Sequence, residues 1–228
     1  MAYFQRRRHF GIYWAKYLKT TTHLALNRTC ICFDSFSLPH LRSLVSLDLK
    51  NLPEPSNVID NADLTLTKLD RAYSTSDICA ILNQEGIYLK LLIVSDVGVF
   101  DYLCSYSGLE TLDLCSMSFN SVKESNTSAR TFYQTVLPHL VHSLEVLKIQ
   151  PKHEGRWCFD PEDDFQSVAL FQCNKLRSLS VALNSTSVVR SITFSSRDLV
   201  LHQYKDNLDN EVCPWYSLFS GRTCHNNG

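Results

Sequence analysis

Residues 144–149, Leu144-Glu145-Val146-Leu147-Lys148-Ile149, decide the fold. They spell leucine, two variable residues, leucine, one variable residue and an aliphatic. The phrase returns at Leu44/Leu47/Leu49, Leu89/Leu92/Val94, Leu109/Leu112/Leu114 and Leu176/Leu179/Val181, five copies in all. Apolar alternation across its second half reads as a short strand with one buried face, and the leading leucine marks a fixed approach turn. A single unit cannot bury its own apolar face, so several must stack.

A strand phrase of this form is the unit of a leucine-rich repeat. It predicts an α/β fold, a leucine-rich-repeat solenoid of the ribonuclease-inhibitor-like kind, with about five to six irregular repeats, strands inside and variable helices outside. The gap from Leu44 to Leu89 is about twice a short repeat, which predicts a degenerate copy near Leu66 and Leu69. Between Leu89 and Leu109 there is room for one strand and a brief helical turn, with Val99, Phe100, Leu103 and Cys104 on its apolar side.

Longer gaps hold helices. In STSDICAILNQEG (74–86), Ser74 or Ser76 serves as cap, Ile78, Ile81 and Leu82 face inward, and Gly86 closes the helix. In NTSARTFYQTVL (126–137), a cap falls within Asn126 to Ser128, Phe132, Val136 and Leu137 form the inward stripe, and Pro138 ends it. In DPEDDFQSVALFQC (160–173), Asp160 is the expected N-cap and Pro161 the first helical residue, with Glu162 and Asp163 on the positive dipole end. Phe165, Val168 and Ala169 then face inward. Beyond about Asn184 the leucine phrase stops. SVVRSITF (187–194) and DLVLHQY (198–204) read as short strands, and Ser217 to Gly228 as a frayed polar end. The expected organisation is a basic lead-in (1–34), a repeat domain (35–185), and an atypical C-terminal cap or tail (186–228).

At 228 residues, with 44% hydrophobic and 20% charged, the chain can bury a substantial core. A formal net charge of -1 gives no overall field toward nucleic acid or an acidic membrane, and neither is an expected partner. No run is long enough to span a bilayer, and Lys16 and Lys19 interrupt any secretory signal. Arg6, Arg7, Arg8, Lys16, Lys19 and Arg28 precede the first acidic residue, Asp34, a bias shared with mitochondrial presequences. The stretch is read here as a basic lead-in, because it has no clear amphipathic period. The nine cysteines (Cys30, Cys32, Cys79, Cys104, Cys115, Cys158, Cys173, Cys213, Cys224) are odd in number and form no CxxC pair. Several occupy positions suited to a small buried hydrophobe, which predicts reduced intracellular thiols. The sequons at Asn27, Asn126 and Asn184 then carry no glycan.

Leu144 to Phe165, SLEVLKIQPKHEGRWCFDPEDDF with its preceding serine, followed by CNKLRSLSVALNS (173–185), resembles the leucine-rich region of F-box-like proteins abundant in mushroom-forming fungi. The run Thr131-Phe132-Tyr133-Gln134-Thr135-Val136-Leu137-Pro138 is similar too. The resemblance covers roughly Leu89 to Ser185, under half of the chain, and includes no F-box-like helical triplet between Met1 and Asp34. It implies repeats that hold a substrate for a ubiquitin ligase, and a cullin-ligase adaptor as a further partner where an F-box is present.

Catalytic and metal chemistry have little support. His153 and Cys158 lie five residues apart on an irregular loop, a spacing that does not place an imidazole against a thiolate. Arg156 and Trp157 are expected to pack across that loop, with Cys158 and Phe159 beneath the next helix. His139/His142, Cys30/Cys32 and Cys224/His225 are isolated pairs that do not close around an ion. The chain is expected not to be an enzyme and to use no cofactor or metal.

Strand side chains alternate, so the residues between the leucines form the concave floor. Asp48 and Lys50, Leu91 and Ile93, Thr111 and Asp113, Val146, Lys148 and Gln150, and Ser178 and Ser180 are its candidate partner-binding residues. Ser46, Ser95, Cys115 and Ala182 share the register. The expected function is an intracellular protein-interaction module, cytoplasmic or nuclear, that binds a protein partner on this floor. The alternative is a degenerate or truncated family member with no retained partner. An enzyme using Cys158 and His153 is the weakest reading.

Overall fold

The computed structural model describes residues 22–26, 38–50, 74–160 and 163–183, and the backbone alone of 199–204 and 215–220. The chain divides into two compact units, residues 1–106 and 107–228.

In the first unit the strands β1 (His23–Ala25), β2 (Ser46–Leu49) and β3 (Leu91–Val94) run parallel, with β2 between the other two. Leu24 is in register with Leu47, and Leu47 with Leu92, so the leucines stack on one face and are buried there. Helix α1 (Leu38–Leu41) precedes β2, and α2 (Thr75–Gln84) precedes β3, as parallel strands require a crossover. The α2 start is a capping box: Asp77 N–H donates to Ser74 Oγ (3.1 Å), while the Asp77 carboxylate accepts from Ser74 N–H (3.0 Å). Ile78, Cys79 and Leu82 are buried and Ile81 is half-buried. Gly86 closes the helix at φ 65°, a left-handed conformation that glycine adopts without strain. After β3 come a 3₁₀ turn (Val97–Val99) and the short helix α3 (Phe100–Cys104), the brief turn expected from the spacing. Val99, Tyr102 and Leu103 fill its inner side, with Phe100 and Cys104 half-buried. Leu66 and Leu69, read as a hidden repeat, lie outside the described residues; β2 and β3 are direct neighbours.

The second unit repeats the plan. Strands β4 (Thr111–Met117), β5 (Val146–Pro151) and β6 (Ser178–Ala182) are parallel, with Leu112, Leu147 and Leu179 in register. β7 (Leu199–Tyr204) and β8 (Trp215–Ser220) add antiparallel strands in the order β4-β5-β6-β8-β7. β7 matches the strand read from DLVLHQY, whereas SVVRSITF lies outside the described residues. Ser217 to Ser220 are strand and not part of a frayed end, because β8 pairs on both sides.

Both helices of this unit depart from expectation. The first, α4 (Val122–Thr131), begins earlier than Asn126 to Ser128, since Ser121 accepts from Glu124 N–H (3.1 Å) and caps it. It continues through a π-helical turn (Phe132–Val136) into α5 (Leu137–Leu140), so Pro138 does not end it. A proline ring inside an α-helix presses on the carbonyl four residues earlier, and a wider turn at that point leaves room for it. The expected inward stripe of Phe132, Val136 and Leu137 is buried. The next helix, α6 (Asp164–Phe171), takes Asp163, not Asp160, as N-cap, with no side-chain capping bond. Pro161 and Glu162 lie outside the described residues. The helix is turned relative to expectation: Gln166, Ala169 and Leu170 are buried, Phe165 is half-buried and Val168 is exposed.

One backbone device recurs. In β1, β2, β4 and β5 the carbonyl two residues before the first buried leucine accepts two amides from the equivalent position of the next strand. In the first unit, Val45 and Ser46 donate to Thr22 O (2.8 and 2.9 Å), then Lys90 and Leu91 donate to Val45 O (2.8 and 3.1 Å). In the second, Glu145 and Val146 donate to Glu110 O (2.8 and 3.0 Å), then Arg177 and Ser178 to Glu145 O (2.8 and 3.1 Å). The fork sets strand register independently of the variable helices. It also places β1 in the series although Thr21 stands where the leading leucine would be, inside the stretch read as lead-in.

Candidate functional site

Each unit carries its own floor of strand residues that face away from the leucines. In the first unit Ser46 pairs with Leu91 and Asp48 with Ile93, and all four are half-buried. Asp48 is committed locally: Oδ1 accepts from Lys50 N–H (3.1 Å) and Oδ2 lies 3.8 Å from Lys50 Nζ. This pair braces the end of β2 and leaves Leu91 and Ile93 as the apolar part of the floor. Ser95 is half-buried beside them in sequence.

In the second unit the register forms two rows. Thr111, Val146 and Ser178 make the first; Asp113, Lys148 and Ser180 make the second. All are half-buried except Lys148, which is exposed, and Gln150 follows half-buried at the end of β5. Cys115 and Ala182 do not belong to an open floor, for both are buried. At Cys115 the strand bulges, with Ser116 at φ 50° and Met117 turned into the core. At Ala182 the chain is enclosed by the Phe159 N–H bond to its carbonyl (2.7 Å) and by pairing with Trp215. The last repeat phrase is also looser than its predecessors, as Leu176 and Leu179 are half-buried.

The loop after β5 is a structural centre. Cys158 is buried as expected, Phe159 is only half-buried, and Trp157, expected to pack across the loop, is itself fully buried. Trp157 contacts Phe119, Phe132 and Tyr133 at ring-centroid distances of 6.1, 5.5 and 6.4 Å. Arg156 is exposed, 5.8 Å above the Phe165 ring and 3.9 Å from the Asp163 carboxylate. Gln166 ties the loop down: its Nε2 donates to Arg156 O (2.6 Å) and Cys158 O (3.3 Å), and its Oε1 accepts from Asp160 N–H (2.9 Å). Gln166 lies off the face of α6 that the apolar spacing of Phe165, Val168 and Ala169 marks as inward, so nothing in the sequence pattern singles it out. His153 is exposed while Cys158 is sealed, which separates the two side chains by environment as well as by sequence.

The thiols of Cys79, Cys104, Cys115, Cys158 and Cys173 are not in disulfides. Burial pushes the Cys79 thiol from 9.0 up to about 12 and Cys173 up to about 11, the reverse of an activated thiolate. Cys30, Cys32, Cys213 and Cys224 lie outside the described residues. Among the described residues no three His, Cys, Asp or Glu side chains gather to hold a metal ion, and no helix is long and apolar enough to cross a membrane. His139 Nδ1 is 2.7 Å from Thr135 O on its own helix, and His142 is exposed. No protein-family model, curated protein or solved structure matches the chain.

Proposed function

We propose that the chain is a leucine-rich-repeat protein-interaction module that binds a protein partner on the strand faces opposite the leucines. The observation that carries this reading is the repeated carbonyl fork together with leucines in register in each unit. A repeat held by backbone bonds leaves its outward positions free to vary and holds them preorganised, so little ordering opposes binding. Leu91 and Ile93 supply apolar contact in one unit, and Lys148, Thr111, Ser178 and Ser180 supply polar contact in the other. The buried, unactivated thiols favour a reducing compartment, cytoplasm or nucleus.

In its sharper form, drawn from the resemblance of residues 144–165 and 173–185 to fungal F-box-like repeats, the partner is a substrate of a ubiquitin ligase. Affinity capture of the tagged chain from its own cells, against an unrelated repeat protein, tests both forms. A reproducible partner lost on Ile93→Asp or Lys148→Glu supports the floor, and co-recovery of a cullin adaptor supports the ligase form. Capture of no partner by folded protein removes the reading in favour of a family member without one.

A further inference from the structure

Away from the floor, α4 and the loop after β5 border a shallow, open groove of about 470 Å³ lined by Val122, Lys123, Asn126, Thr127, Arg130 and Arg156. We propose that this groove docks an acidic peptide segment of a partner protein.

The lining holds three cations and no carboxylate, in a chain whose formal net charge is -1. Lys123, Asn126, Thr127 and Arg130 follow the spacing that puts residues on one helical face. Lys123 and Arg130 are exposed and form no ion pair with the described residues. Arg156 is partly offset by Asp163 at 3.9 Å, with its side chain still 43% exposed. The acidic residue nearest on the helix, Glu124, is occupied at its start, where its carboxylate accepts from Asn120 N–H (3.1 Å). Asn126 Oδ1 accepts from Arg156 N–H (3.3 Å), which fixes the side chain and leaves its amide NH₂ as a donor. Val122, 75% exposed at the end of the groove, offers an apolar contact.

Spacing selects the ligand class. Seven residues of helix separate Lys123 from Arg130, roughly 10 Å at about 1.5 Å per residue. A single phosphate needs donors that converge on one point, whereas carboxylates on an extended peptide, about 3.3 Å apart per residue, can match charges strung along a helix. Nucleic acid is disfavoured because three cations without an exposed stacking aromatic in the lining make a poor backbone track.

The test is fluorescence anisotropy of the full chain with a short labelled peptide of alternating glutamate and leucine, alongside its glutamine counterpart. The expected result is saturable binding of the glutamate peptide alone, weakened by added salt, and reduced about tenfold or more by Lys123→Glu with Arg130→Glu. Both substitutions are at exposed positions, and circular dichroism checks that the variant stays folded. Equal binding of the glutamine peptide, indifference to the charge reversals, or complete displacement by millimolar inorganic phosphate or by single-stranded DNA overturns the proposal.

Discussion

The Tyr133 ring packs against Phe132, Trp157 and Phe165, and its buried hydroxyl has no hydrogen-bond partner among the described residues. Burial pushes its ionisation well above the ordinary tyrosine range. A buried polar group left unsatisfied opposes folding, so Tyr133→Phe should leave stability unchanged or raise it by up to about 1 kcal/mol in urea unfolding. A clear loss would mean that the hydroxyl has a partner. Gln166 is the opposite case, with three bonds to the backbone of the loop it buries. Gln166→Leu strands those groups and should lower stability by about 1–3 kcal/mol, measured the same way. Neither role is legible in sequence. The one-position rotation of α6 that buries Gln166 and exposes Val168 comes from tertiary packing, and the apolar spacing of Phe165, Val168 and Ala169 points to a different face.

At the scale of elements, ends were legible where a cap adjoins an apolar stripe. Ser74 and Gly86 bound α2 as their residue types predict, and Ser74→Ala should lower stability by about 1 kcal/mol through loss of the capping box. The start of α4 was misplaced because Asn126 to Ser128 lie closer to the apolar run, although Ser121 and Glu124 already spell a capping pair. The π-helical turn before Pro138 has no sequence signature beyond the proline itself, which ordinarily signals an end. In the first unit, α3 is fixed to the approach of β3 by tyrosines. Tyr102 Oη donates to Ile87 O (2.7 Å) and accepts from Leu89 N–H (3.1 Å), while Tyr106 Oη donates to Leu89 O (3.0 Å). Desolvation raises Tyr102 from 10.0 to about 12 and Cys79 from 9.0 to about 12. Each group ionises earlier in the unfolded chain, so their contribution to stability is complete below pH 9 and is lost as pH climbs toward 12. Urea midpoints measured across that range should fall, and a flat profile would contradict the assignment.

For the molecule as a whole, the repeat phrase located β2 through β6, because leucine periodicity and strand burial are the same physical fact seen twice. β1 escaped notice since Thr21 replaces the first leucine, and it is its pairing with β2 and the backbone fork at Thr22 that identify it. β8 escaped because no repeat phrase marks an antiparallel strand. Which strand positions face away from the leucines was legible by alternation alone; Cys115 and Ala182 depart from it through a bulge and an edge bridge that alternation does not encode. The measurement that bears most directly on the floor is a binding titration of the captured partner against wild type, Ile93→Asp, Lys148→Glu, and Phe171→Ser as a control at an 80% exposed position on α6. The two floor variants should bind about tenfold more weakly or worse, while the control binds as wild type does. Wild-type affinity in both floor variants, with folding intact, would contradict the account.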